Sequence, residues 1–203
     1  MYALIKDNEI KKIITNPKSI VIDDVQYPAK IFQLWSESEL NAIGIFEVIT
    51  DSTNKKDEAY YINTNEQFDY ANNQVTRSWG TATPKRLEDE NAVDEDGKNI
   101  LDDDGNQVIN YGLKTEKKRI VKQQASGLLE KTDWHNHKAL DDDTYTIPDN
   151  IKSYRADVRA KSNEMESQID ACTNVDELKA LYEYTEQEDG TQTRPLAEFP
   201  KEI

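Results

Sequence analysis

His135 and His137, two residues apart, are the most chemically suggestive pair in this 203-residue chain. In an extended segment both imidazoles project to one side, as two ligands of a single zinc ion do. Asp133 and the run Asp141-Asp142-Asp143 put carboxylates nearby. No third ligand stands at a diagnostic spacing, so we expect no metal and no other cofactor. His135 and His137 then read as polar residues of a surface loop over 130–146. Two acidic runs that end in glycine, Asp94-Glu95-Asp96-Gly97 and Asp102-Asp103-Asp104-Gly105, invite comparison with a calcium loop. Such a loop has acidic or amide ligands at its first, third and fifth positions, glycine at the sixth and glutamate at the twelfth. Counted from Gly97, the first and twelfth positions are Ala92 and Asp103. Counted from Gly105, they are Ile100 and Tyr111. Both registers fail, and the runs read as solvated turns.

Nucleophilic chemistry has little to work with. Cys172, the one cysteine, lies in a short Cys-Thr-Asn link far in sequence from both histidines, so no Cys/His pair is expected. There is no Gly-x-Ser-x-Gly elbow, and the 7 glycines form no phosphate loop. We expect no catalytic residue and no enzyme. Ten tyrosines and three tryptophans point toward contact surfaces, where amphipathic rings are enriched, although tyrosine is also common in strands.

Bulk charge narrows the partners. The formal net charge is −15, which repels nucleic acid and anionic membrane surfaces. No apolar run approaches the ~18 residues of a membrane span. The opening MYALIKDNEIKK places charges where a signal peptide needs an apolar stretch. A lone cysteine cannot form an internal disulfide. A protein of the cytoplasm is expected. Hydrophobic residues are 36% of the chain. Even with glycine added, this is below the usual ~45–50%, so the core is modest or divided.

The elements that must position these residues make an α+β protein. Residues 1–80 read as a small antiparallel β-rich unit. Hairpins turn at Asp7-Asn8, Asp23-Asp24 and Asn72-Asn73, and Pro28 marks a strand end. Further strands fit IFEVIT (45–50) and EAYYIN (58–63). A short helix starts at Ser36 with Glu39 completing a capping box, turns Leu40 and Ile43 inward, and stops at Gly44. Residues 81–114 are acidic and turn-rich, with DGKNIL and DGNQVI eight residues apart, and read as an acidic β-hairpin arm or linker. Over 115–185 the period becomes helical. Ile120, Val121, Gln124, Leu128 and Leu129 share one face. Pro148 suits position N1 of a second helix, whose stripe is Ile151, Tyr154, Val158, Met165 and Ile169, interrupted at Ser162. These two form a helical hairpin. A third helix follows, with Thr173 as N-cap, Asp176 at N3, and Leu178, Leu181 and Tyr182 on its face. Residues 186–203 read as an irregular tail.

One constellation carries a likeness. A basic helix ends in Leu128-Leu129, Thr132-Asp133-Trp134 follows, and the proline-started helix bears Tyr154-Arg155 and then Arg159. This resembles the C-terminal segment of the bacteriophage tail assembly chaperone (tail-fibre assembly) family, over residues 116–171, about a quarter of the chain. The N-terminal YALI…IFQLWSESELNAIGIFEV also looks like the leading segments of phage tail proteins. The sequence departs from the family after Trp134, where His135-Asn136-His137 and an acidic loop stand. The resemblance implies a non-enzymatic phage protein that binds tail fibres and assists their assembly or attachment. The alternative is a structural virion component: a fibre, fibre-attached or baseplate protein. Implied partners are tail-fibre or baseplate proteins, or further copies of the chain, with no nucleic acid and no membrane. The implied place is the host cytoplasm during assembly, or the virion tail. In physical terms, Asp133 is placed to cap or pair with an arginine of the following helix. Arg155 and Arg159, four apart, project to one side. Trp134 is expected over Leu128 or Leu129 and Tyr154, closing the hairpin.

Overall fold

Asp and Asn tolerate left-handed backbone, and pairs of them make the first turns of the chain. Positive φ occurs at Asp7 (55°) and Asn8 (62°), Asp23 (49°) and Asp24 (65°), and Asn72 (52°) and Asn73 (58°). Two consecutive left-handed residues match the twist of a tight hairpin. They join β1 (Tyr2–Lys6) to β2 (Glu9–Ile14), and β3 (Ile20–Ile22) to β4 (Val25–Tyr27). Helices α1 (Ile31–Leu34) and α2 (Glu37–Ala42) follow, then β5 (Ile45–Thr50) and β6 (Tyr61–Ile62). The third paired turn joins β7 (Gln67–Ala71) to β8 (Gln74–Ser78), and β9 (Thr83–Pro84) comes next. The computed structural model describes residues 1–203. It divides into two compact units, Met1–Thr83 and Pro84–Ile203.

In the first unit five strands run in the order β2-β1-β5-β8-β7, with β5 and β8 parallel and the other pairs antiparallel. The sheet curls until its outer strands β2 and β7 approach each other. Alternation then feeds two cores. Ala3, Ile5, Phe46, Val48 and Val75 fill the inside of the curl. Ile14 and Ile45 face the other way, against Ile20, Ile31, Phe32 and Leu40. The Ser36 hydroxyl and Glu39 carboxylate cap α2 reciprocally. Gly44 (φ 80°) ends it, and a Cβ there would strike the Ile5 carbonyl. Of EAYYIN only Tyr61–Ile62 is strand. The three residues before it are hydrogen-bonded into turns from Asp57.

The second unit begins with β10 (Glu90–Asn91) pairing antiparallel to β11 (Ile109–Asn110), a hairpin with two further turns folded inside it. Then come α3 (Leu113–Glu130), α4 (Asp133–Asp141), α5 (Asp149–Ala171) and α6 (Val175–Ala180). Last are β12 (Thr185–Glu186) and β13 (Gln192–Thr193). The α5 stripe Ile151, Tyr154, Val158, Met165 and Ile169 is buried, and Ser162, also buried, fills the gap in it. Each such apolar side chain contributes about 1.5–3 kcal/mol of burial. α3 lies antiparallel beside it and buries Leu113, Val121 and Ala125. Ile120 is 43% exposed and lies outside that face. Lys118 pairs with Asp170 at 2.7 Å and Lys122 with Glu166 at 3.2 Å along the open side of the helix pair.

Several expected details shift. Pro148 is the N-cap of α5, one residue before N1. Asn174 caps α6 in place of Thr173, because its side chain accepts from the Glu177 N–H, which puts Glu177 at N3. The tail is ordered: β12 pairs with β13, and Leu196 is 2% exposed. The largest change is at 130–146, where a helix, α4, replaces a loop.

Candidate functional site

α3 ends at Leu129-Glu130, and the chain needs only Lys131 and Thr132 before α4 starts at Asp133. So sharp a join leaves the last α3 carbonyls without helical partners. The Thr132 hydroxyl answers one, donating to the Leu129 carbonyl at 2.9 Å. Arg155 brings a further donor to that same carbonyl from across the hairpin. Its Nη1 donates to the Leu129 carbonyl at 2.8 Å and to the Thr132 hydroxyl at 2.7 Å. Its Nη2 meets Asp133 Oδ1 at 2.7 Å. The residue is only 7% exposed. One planar guanidinium thus ties the end of α3, the link and the first residue of α4 to the first turns of α5, a spread of acceptors that a lysine ammonium cannot match. Beside it Tyr154 packs with Ala125, Val158, Leu128, Leu129 and Phe199. Arg159 stays out of this junction. It is exposed and donates back to the Arg155 carbonyl at 3.2 Å.

Trp134 does not close the hairpin. It is 53% exposed and stacks on His135, ring centroids 3.7 Å apart and planes 26° apart. The reason is the extra helix. With Asp133 pinned by Arg155, the next residue of α4 is rotated about 100° away from Leu128, Leu129 and Tyr154. The same rotation separates the imidazoles. Residues two apart on a helix point about 200° apart. His135 is buried while His137 is exposed. No group of three or more metal-ligating side chains forms here or elsewhere.

His135 is instead a polar wedge. Its Nδ1 is hydrogen-bonded to the Tyr145 hydroxyl, and the two rings are stacked. Lys138 Nζ sits 4.3 Å from the Tyr145 ring centre. The Asp142 carboxylate accepts from the Thr144 hydroxyl at 2.6 Å and from its N–H at 3.0 Å, turning the chain so that Tyr145 returns to α4. Those bonds, the hydroxyl first, hold Asp142 below the ordinary carboxylate pKa. Tyr145 and Lys138 escaped the sequence reading. The one sequence signal for them is the short Asp142-x-Thr144 turn.

What results is a rigid corner with one face of an indole turned to solvent. Leu140, at 81% exposure, stands on the same short helix. Burial pushes the Cys172 thiol up in pKa, away from the thiolate a nucleophile needs. The corner offers amphipathic binding area. No helix is long and apolar enough to cross a membrane. No protein family, curated protein or solved structure matches this chain.

Proposed function

We propose that this chain is a non-enzymatic bacteriophage tail protein that binds tail fibres and assists their assembly or attachment. The observation that carries the reading is the Arg155 junction. Residues that resemble the tail-fibre assembly family in sequence, Leu129, Asp133 and Arg155, are joined in one hydrogen-bonded corner, so the likeness coincides with a physical device. That corner presents Trp134, and tryptophan is over-represented among residues that dominate binding energy. The −15 charge keeps such a protein soluble while it waits for a partner.

The test is co-expression with the fibre and baseplate subunits of the same phage, followed by affinity isolation through this chain. Recovery of a fibre subunit by the native chain, and its loss with Trp134→Ala at unchanged helical content, is the expected result. Equal recovery with both, or no tail protein recovered, overturns the reading. A protein inventory of purified particles then decides between an assembly factor, absent from them, and a tail component present at fixed copy number.

A further inference from the structure

The acidic arm is built with an internal three-fold repeat. Val93 bridges Asn99, Leu101 bridges Gln107, and Ile109 pairs with Asn91, so that the apolar members (93, 101, 109) and the amide members (91, 99, 107) each step by eight residues, and the last apolar member closes the cycle on the first amide. The backbone repeats the cycle. The Ile100 N–H donates to the Ala92 carbonyl at 2.9 Å, Val108 to Ile100 at 2.9 Å, and Ala92 to Val108 at 2.8 Å, a closed ring. Two corners of the triangle are matched turns. Asp94 Oδ1 accepts from the N–H groups of Asp96 and Lys98, and Asp102 Oδ1 from those of Asp104 and Asn106. The third corner is the open pair Glu90 and Asn110. The Gln107 amide nitrogen reaches the centre, and its two N–H groups are shared among the three ring carbonyls, Ala92 at 2.9 Å, Ile100 at 3.2 Å and Val108 at 2.8 Å.

Side chains alternate along each strand and bridge partners point the same way, so Val93, Leu101 and Ile109, with Asn99, Gln107 and Asn91 beside them, share the face opposite Ala92, Ile100 and Val108. Val93 is 50% and Leu101 57% exposed, and Ile109 is half-buried. Around them the two closed corners carry six carboxylates, Asp94 to Asp96 and Asp102 to Asp104, against one cation, Lys98.

We infer that this face docks on the end of a three-fold symmetric protein partner, a homotrimer whose axis is ringed by basic side chains. A homotrimer offers the same apolar patch three times around an axis, and a single chain can meet all three only if it repeats itself in the same way. A second copy of this chain is not the occupant, because two such rims of carboxylates repel each other. The inference rests on the binding role proposed above and adds the surface and the symmetry of what it binds.

The experiment places the photo-crosslinker p-benzoylphenylalanine in the full chain at position 93, 101 or 109, and separately at 134, in phage-infected cells. The expected result is that positions 93, 101 and 109 each label the same stretch of one partner polypeptide. Leu101→Asp should reduce labelling from 93 and 109 about tenfold, as loss of one apolar anchor of an interface does. Different stretches or different partners at the three positions overturn the symmetric docking. No labelling from any of the three while position 134 labels a tail protein overturns it and leaves the proposed function standing. No tail protein labelled from any position, 134 included, removes both. Circular dichroism of the Leu101→Asp chain checks that the fold survives.

Discussion

Replacing Arg155 by alanine takes one hydrogen bond each from the Leu129 carbonyl and the Thr132 hydroxyl, which still bond to each other, and leaves Asp133 without its cation. Hydrogen bonds to a charged group are each worth about 1.5–3 kcal/mol, and Asp133, nearly half exposed, recovers part of its loss from water. A net cost of about 2–3 kcal/mol is expected, read as a lower urea midpoint. Arg155→Lys should restore less than half of it, since one ammonium cannot span the three acceptors. A cycle with Asp133→Ala should show coupling of about 1 kcal/mol, and zero coupling would break the argument for the corner. Arg159→Ala is the control and should move the midpoint by less than about 0.5 kcal/mol, because the exposed side chain only returns to its own helix. Trp134→Ala should likewise cost less than about 1 kcal/mol, while Tyr154→Ala, in the core, costs about 3–5 kcal/mol. At this scale the sequence spoke through paired types: an Asp before a Trp, then Tyr-Arg on the next helix. It could not place the indole, because the direction of Trp134 depends on whether 133–141 is helical. His135–Tyr145 was invisible for the same reason, being a contact across ten residues that no local pattern announces.

Elements were legible where their signals are local. The α2 capping box lies within four residues, and both its hydrogen bonds form. The paired Asp and Asn residues of the hairpins report their own backbone angles. The apolar stripe of α5 is seen in the buried residues it predicts. α4 gave no such signal. Its sequence, DWHNHKALD, has no apolar stripe, and it is held by Arg155 and Tyr145 from outside. The start of α3 was hidden in a different way. Its N-cap, Gly112, has no side chain to offer. Asp89, far back in the chain, supplies the cap, Oδ1 accepting from the Gly112 N–H at 2.7 Å and Oδ2 from the Thr115 hydroxyl at 2.9 Å. The carbonyls of Arg86 and Leu87 take the N–H groups of Leu113 and Lys114. So the segment leading into the arm is also the cap of α3. Asp89→Ala should cost about 1 kcal/mol and speed hydrogen exchange at amides 112–115 before it changes exchange in α5. Gly112→Ala should do more, because its Cβ would overlap the Glu88 carbonyl. Unchanged exchange at 112–115 in both variants would show that the arm and the helix are not joined in this way. The near-repeat in the arm was readable, but its third member, without an Asp-Gly turn, was not.

For the whole molecule, charge sets the response to pH, and two effects oppose each other. At neutral pH the net charge of −15 makes the folded chain repel itself more than the expanded one. Lowering pH toward the sequence pI of about 4.6 relieves that strain. Against this stand surface carboxylates held below their ordinary pKa in the folded state. Glu39 is lowered by the Ser36 hydroxyl and then its N–H, Asp102 by the Asn106 N–H, and Glu177 by the Thr173 N–H. A folded-state pKa below the unfolded one means that the unfolded chain binds the proton more readily. The stability from these bonds is therefore complete above the ordinary carboxylate range and is lost as pH falls through the depressed values. Lys118 is shifted the other way, raised by its bond to Asp170. Its contribution is complete below the ordinary lysine pKa and disappears as pH rises through the raised one. The urea midpoint should thus rise or stay level from pH 7 to about 5, then fall below about pH 4, where the caps and turns take up protons. Salt of about 0.5 M should raise the midpoint at pH 7 and do little near pH 5, since only the self-repulsion is long-ranged enough to be screened. A midpoint that falls steadily from pH 7 downward would mean that specific carboxylate bonds outweigh the repulsion throughout. The acidic composition would then contribute to stability through those bonds.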